Sequence, residues 1–308
     1  MTRSLWWLNA ETSIHVGSAS TASLIDQPVA RESTTGYPFI PGSGLKGALR
    51  DAWRFSLVSK PAAVNLKEAD SHQDIKEFFG VAEGAGSILI SDGRLLLLPM
   101  RSLNHAFVWT TCPYLIKRYA RDMEFCGLSL DNQFIPPLQP ADHECFITHA
   151  DDEKEKLKDN IWIEDHRLTC QRSDIPWNSL APLRDESQET YSGPPVVVVS
   201  DRLFGHFARS RLPVRMRNQL NPDSKTVKTG HLWSEEALPP ETVLYTILSD
   251  RLPSATNAAG ASALSRFEVE LEKIKHVQVG ANETVGEGWL RVQPWRELSN
   301  GAQKAPQS

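Results

Sequence analysis

GYPFIPGSGLKGALRDAWR, residues 36–54, decides how this chain is read. Tyr37-Pro38 and Ile40-Pro41 run extended, because each proline pushes its predecessor out of helical angles. Gly42-Ser43-Gly44 then opens a helix whose apolar residues Leu45, Ala48, Leu49, Ala52 and Trp53 fall at core-facing spacing. Lys46, Arg50 and Arg54 follow at i, i+4 and i+8, and at about 100° per residue they share one arc of the helix. A helix N-terminus with free N–H groups beside a row of cations suits a phosphate chain. An amphipathic helix with a solvated basic face fits the same residues.

Composition sets the bounds. The chain has 308 residues, 40% hydrophobic and with nine Trp, enough for a sizeable core in one large domain or two modest ones. No apolar run approaches the roughly 20 residues of a membrane span. Leu95–Met100 is the densest and has strand length. The N-terminus carries no secretory pattern, so a cytoplasmic location is expected. Cys112, Cys126, Cys145 and Cys170 form no CxxC pair and read as reduced thiols. The net charge of −5 argues against indiscriminate polyanion binding but leaves room for a local basic groove. Acidic residues crowd into 142–165 and 185–189, and basic ones into 46–54, 117–121 and 202–228.

Outward from the opening helix, Leu5–Ile14 reads as a first strand, ending at the turn His15-Val16-Gly17-Ser18. A Ser/Thr-rich loop follows and holds Asp26 before Gln27-Pro28. Leu66–Phe79 is helix-like, Ser87–Ser91 a strand, and Asp92-Gly93 a hairpin signal leading to Arg94–Met100. Pro113–Glu124 reads as a helix with Lys117, Arg118 and Arg121 on its surface. Residues 128–195 have the character of a long surface insertion, and Val196–Val199 that of a buried strand. Leu212–Trp233 reads as a two-stranded ribbon turning at Asn221-Pro222-Asp223-Ser224, within a hairpin unit of 212–236. Its first strand alternates Val214 and Met216 against Arg215 and Arg217, with Lys225 and Lys228 near the tip. Such a ribbon buries little alone and is expected to project. Thr242–Leu248 is a strand and Ser262–Lys275 a helix. A glycine-rich turn, Gly280–Gly288, precedes the last strand, and 296–308 is a polar tail expected to be flexible. This order fits an α+β, ferredoxin-like plan with insertions and a projecting β-hairpin, the whole of 1–308 forming one domain.

Ile40–Arg50 resembles the signature helix of the RAMP proteins of CRISPR systems, and Gly280–Trp289 resembles their glycine-rich motif. Within that superfamily the chain is most similar to the backbone subunits of type III-B (Cmr) effector complexes. Asp26–Glu32, Gly93–Leu103, Phe107–Asp122 and Arg215–Glu236 extend the likeness over all but 128–195 and the tail. Gly44 stands where a second serine is usual, Gln27 where an aliphatic residue is usual, and Ala281 where a second glycine is usual.

The resemblance implies copies stacked head to tail on a CRISPR guide RNA beside other Cmr subunits. A thumb hairpin from each copy would displace a guide base, and a loop aspartate would cut the complementary target RNA beside it. That makes Asp26 the candidate catalytic residue. A lone carboxylate is a weak base at neutral pH, so Asp26 is expected to ligate or orient Mg²⁺ or Mn²⁺ near the 2′-OH. His15 is an acid/base or RNA-holding candidate, or a structural strand-end histidine. Glu235 and Glu236 either complete the site or are solvated charges. Guide contacts are expected from Ser43, Lys46 and Arg50, from Arg215, Arg217, Lys225 and Lys228, and from Gly280, Asn282 and Thr284. A purely structural RNA-binding filament subunit is the alternative.

Overall fold

The computed structural model describes residues 2–17, 24–58, 65–128, 139–148, 160–172, 194–251 and 261–295. In chain order, β1 (Arg3–Ala10) and β2 (Phe39–Ile40) lead into α1 (Gly42–Val58). There follow α2 (Leu66–Ala69), α3 (Gln73–Phe79), the small pair β3 (Gly80–Val81) and β4 (Gly84–Ala85), then β5 (Ile88–Ile90), β6 (Gly93–Met100), β7 (Val108–Thr111) and α4 (Pro113–Phe125). Next come β8 (Glu144–Thr148), β9 (Asn160–Ile163), β10 (His166–Arg172), β11 (Val196–Val198) and α5 (Asp201–Ser210). The chain closes with β12 (Val214–Leu220), β13 (Val227–Glu236), β14 (Val243–Asp250), α6 (Ala263–Ile274), β15 (His276–Gln278) and β16 (Trp289–Pro294).

The main sheet runs β15-β16-β1-β14-β6-β7-β11-β8-β10-β9. At its centre β16, β1, β14 and β6 pair antiparallel, and α1 and α6 make the two crossovers. This is the split βαβ plan. Central strands are apolar on both faces because both are covered. Trp6 and Leu8 of β1 point to the α1/α6 side, where Trp53 stacks on Phe267 at 4.8 Å. Leu5 and Trp7 point to the other side, where Tyr119 of α4 meets Trp7 at 5.4 Å and Tyr245 at 5.0 Å.

Four expectations are corrected by this structure. Asp92-Gly93 makes no hairpin: β5 and β6 both pair antiparallel with β14 as two stretches of one interrupted strand. The interruption admits the start of α1, where a Cβ on Gly42 would stand 2.9 Å from the Ile90 carbonyl. Residues 66–79 form two helices, because His72 caps a new one by accepting from Asp74 N–H at 3.2 Å. In the stretch read as a surface insertion, β8, β9 and β10 extend the main sheet and bury Cys145, Ile147, Ile161, Ile163 and Leu168. Arg118 is buried rather than on the helix surface, donating to Glu32 at 2.6 Å and to the Leu95 carbonyl at 2.9 Å.

β12 and β13 form a separate, largely exposed ribbon. All four cysteines are thiols rather than disulfides. No helix among the described residues is long and apolar enough to cross a membrane. The tail 296–308 and most of the 253–262 loop lie outside the described residues.

Candidate functional site

At the start of α1, Ser43 and Gly44 are exposed or nearly so, while the Gly42 N–H donates to Asp92 at 2.7 Å. Part of the N-terminal donor set is therefore already answered by a carboxylate. The basic row is also only partly free. Arg50 pairs with Asp70 at 3.2 Å, and Arg54 pairs with Asp70 at 3.1 Å and Asp51 at 2.8 Å. Lys46 makes no ion pair among the described residues. These arginine pairs are open to solvent and so individually weak, which leaves them able to exchange with phosphate.

Asp26 sits in an exposed loop that runs beside the root of the ribbon, held by backbone bonds between Gln27 N–H and the Ser234 carbonyl and between Glu236 N–H and the Gln27 carbonyl. Its Oδ2 accepts from the Ser234 backbone N–H at 2.7 Å and from the Ser234 hydroxyl at 2.8 Å. The Asp26 N–H donates to the same hydroxyl at 2.9 Å. The bond from the Ser234 N–H, followed by that from its hydroxyl, holds the carboxyl below the ordinary aspartate range. Ser234 is a site residue that sequence reasoning misses. It stands at the root end of β13, just before Glu235-Glu236 and within the Arg215–Glu236 stretch of the resemblance, and those are the signals it carries.

Glu235 and Glu236 are not solvated charges; both are buried. Glu236 accepts from Arg31 at 2.7 Å and from Val29 N–H at 3.1 Å, pinning the chain just after Asp26. Glu235 accepts from Asn282 at 2.8 Å and Arg217 at 3.2 Å. His15 is buried too, its Nδ1 2.6 Å from the Glu236 carbonyl. A carbonyl only accepts, so Nδ1 carries a hydrogen and donates it.

The ribbon's arginines are engaged at its root. Arg215 reaches Glu287 at 2.5 Å and also bonds Ser13; Arg217 reaches Glu287 at 2.8 Å. Lys225 and Lys228 are exposed near the tip and make no ion pair among the described residues. The glycine-rich turn packs directly on the His15 strand end. Gly280 has φ +86°, and a Cβ there would fall 2.3 Å from the His15 carbonyl oxygen. Asn282 is left-handed and bridges Glu235 and Glu287; Thr284 is exposed. The structure thus gathers Asp26, His15, Glu235, Glu236, Arg215, Arg217, Gly280 and Asn282 around the ribbon root. Arg31 and Glu287, which lie within the Asp26–Glu32 and Gly280–Trp289 stretches but are not among the expected site residues, complete the network.

No three His, Cys, Asp or Glu residues among the described ones converge as a metal set. Asp26 offers at most a single carboxylate to an ion.

The chain is 28% identical over 307 residues to the CRISPR system Cmr endoribonuclease Cmr4 of Pyrococcus furiosus, covering 96% of each. It is 24% identical to the CRISPR system CMR subunit Cmr4 of Saccharolobus solfataricus, over 93% of this chain and 94% of that one. In fold it is similar to a chain of the type III-B Cmr-beta complex bound to cognate target RNA, with TM-score 0.72, 23% identity and coverage of 96% and 97%. It is similar also to oligomeric Cmr4 from Pyrococcus furiosus, with TM-score 0.66, 23% identity and coverage of 96% and 100%. The RAMP superfamily model matches residues 7–291, and the chain belongs to that superfamily.

Proposed function

We propose that this chain is a guide-RNA-binding backbone subunit of a type III-B CRISPR effector complex, and that it cuts complementary target RNA with Asp26. The observation that carries the reading is the placement of one exposed carboxylate at the root of a projecting ribbon, clamped by Ser234. Membership of the RAMP superfamily and near full-length similarity to a Cmr endoribonuclease support it.

RNA scission by 2′-OH attack on the adjacent phosphate needs the hydroxyl oriented and its proton drawn away. With its carboxyl held below the usual range, Asp26 is ionised at neutral pH and accepts a hydrogen bond from that 2′-OH. Ser234 fixes one carboxylate oxygen and leaves the other to the RNA. Glu236, through Val29 and Arg31, and Glu235, through Asn282 and Arg217, hold the loop, ribbon and glycine-rich turn in register. A Mg²⁺ or Mn²⁺ ion would take one ligand from Asp26 and the rest from water and RNA phosphate, and would supply Lewis-acid activation of the hydroxyl. Chelation that leaves cleavage intact would remove the ion from this proposal.

Lys46 and Arg50 beside Ser43, with Lys225 and Lys228 at the ribbon tip, bind RNA phosphate. Repeated copies on one guide, joined by a head-to-tail contact that does not close into a ring, would place the Asp26 sites at regular spacing. The test is a complex reconstituted with guide RNA, the other Cmr subunits and labelled complementary RNA. Target fragments at a constant interval are expected, and uncut target would refute the nuclease assignment. A non-catalytic filament subunit is the second reading. It is favoured by the engagement of His15, Glu235 and Glu236 in buried bonds, which leaves Asp26 without a second acid among the described residues.

A further inference from the structure

β8 and β10 pair in parallel with Cys145 directly opposite Cys170. The two side chains share the core side of the sheet; Cys145 is buried and Cys170 half-buried. Their sulfurs lie 3.8 Å apart, with the Cys145 thiol directed at the Cys170 sulfur. Neighbouring strands are about 4.8 Å apart, within the Cα separation that a disulfide tolerates. Only the sulfurs need to close, to about 2.05 Å.

We infer that Cys145 and Cys170 form a reversible oxidation site, converted by peroxide to an intrachain disulfide that clips the β9–β10 hairpin to β8. The contact with Cys170, reinforced by burial, holds the Cys145 thiol protonated, so the more accessible Cys170 reacts first. The Cys170 thiolate attacks the peroxide O–O bond, takes one oxygen as a sulfenic acid and releases the other as water. The Cys145 sulfur then attacks the Cys170 sulfur; the S–S bond forms, the S–O bond breaks, and the oxygen leaves as a second water with the Cys145 proton. Two thiols are oxidised and one peroxide is reduced. Antiparallel β9 and the buried Ile161, Ile163 and Leu168 hold β10 in place, so the bond requires side-chain rotation rather than strand movement.

The test treats the folded full-length protein with hydrogen peroxide and maps peptides without reduction. Expected is one cross-linked species joining Cys145 to Cys170, lighter by two hydrogens and reversed by dithiothreitol. Cys145→Ser should abolish it and leave a dimedone-trappable Cys170. Cys170→Ser should abolish it with Cys145 unmodified. Wild-type protein that stays folded yet accumulates sulfenic or sulfinic Cys170 without a cross-link would overturn the inference. So would a cross-link through Cys112 or Cys126, and neither result depends on a variant folding.

Discussion

Replacing Glu236 separates an anchoring role from a chemical one. Its carboxylate is 3% exposed and accepts from Arg31 and from Val29 N–H. Glu236→Ala strands both donors, and removal of one member of a buried pair costs about 3–5 kcal/mol. Arg31 retains the Gly36 carbonyl at 2.9 Å and the Ala208 carbonyl at 2.7 Å, and is 22% exposed. Those bonds lower the expected cost to about 2–3 kcal/mol. Unfolding entropy near 2.1 cal/mol/K per residue gives about 0.65 kcal/mol/K for this length, so Tm should fall by roughly 3–5 °C. Glu236→Gln keeps the Val29 acceptor but turns its NH2 toward Arg31, losing that hydrogen bond as well as the charge, at a cost of about 1–2 kcal/mol and roughly 2–3 °C. Calorimetry of both variants, paired with target cleavage in the assembled complex, reads the two effects. The Gln variant should cut at close to the wild-type rate. A Gln variant with wild-type Tm and no cleavage would refute the anchoring role and make Glu236 part of the chemistry.

Ser234→Ala removes the hydroxyl bonds to Asp26 but keeps the backbone one, so the Asp26 carboxyl should titrate closer to its ordinary value. A depressed carboxyl stabilises the fold above its unfolded pKa and loses that contribution as pH falls through the folded one, so the variant should have a smaller contribution, whose loss is complete at a higher pH. NMR titration of Asp26 checks the direction, and the acid limb of the cleavage profile should shift upward. Lys46→Ala with Arg50→Ala should weaken guide binding and flatten its salt dependence, by about 0.7 in the log–log slope for each phosphate no longer neutralised. An unchanged slope would remove α1 from the interface. Gly280→Ala should destabilise by about 2 kcal/mol or more, since a Cβ meets the His15 carbonyl at a left-handed φ. Gly47→Ala, with open space around its Cβ in a helix interior, should instead stabilise by about 0.5–1 kcal/mol, and thermal melts compare the two.

The parts legible in the sequence are those written in local pattern. The stripe Leu45, Leu49 and Trp53 is buried as its spacing requires, and Ser200 and Ser262 cap helices where they stand. What stays hidden depends on partners far along the chain. Asp92-Gly93 has hairpin chemistry, but β14, about 150 residues later, claims both flanking strands. Glu235 and Glu236 look solvated beside Pro239-Pro240; they are bonded instead by Arg217 on the facing ribbon strand and by Arg31 and Asn282, which lie far away in sequence. Arg215 and Arg217 alternate as a basic ribbon face should, yet Glu287 engages both. Asp26 stands out only through family resemblance, and its clamp by Ser234 only through the fold.

The most direct measurement is cleavage by a complex reassembled from guide RNA, partner subunits and the Asp26→Ala chain. Asp26 is exposed, and among the described residues its side chain bonds only to Ser234, so assembly and guide binding should match wild type. Loss of every regularly spaced target fragment at unchanged guide affinity is the expected result. Fragments persisting at the wild-type spacing and rate would contradict it and leave this chain an RNA-binding scaffold.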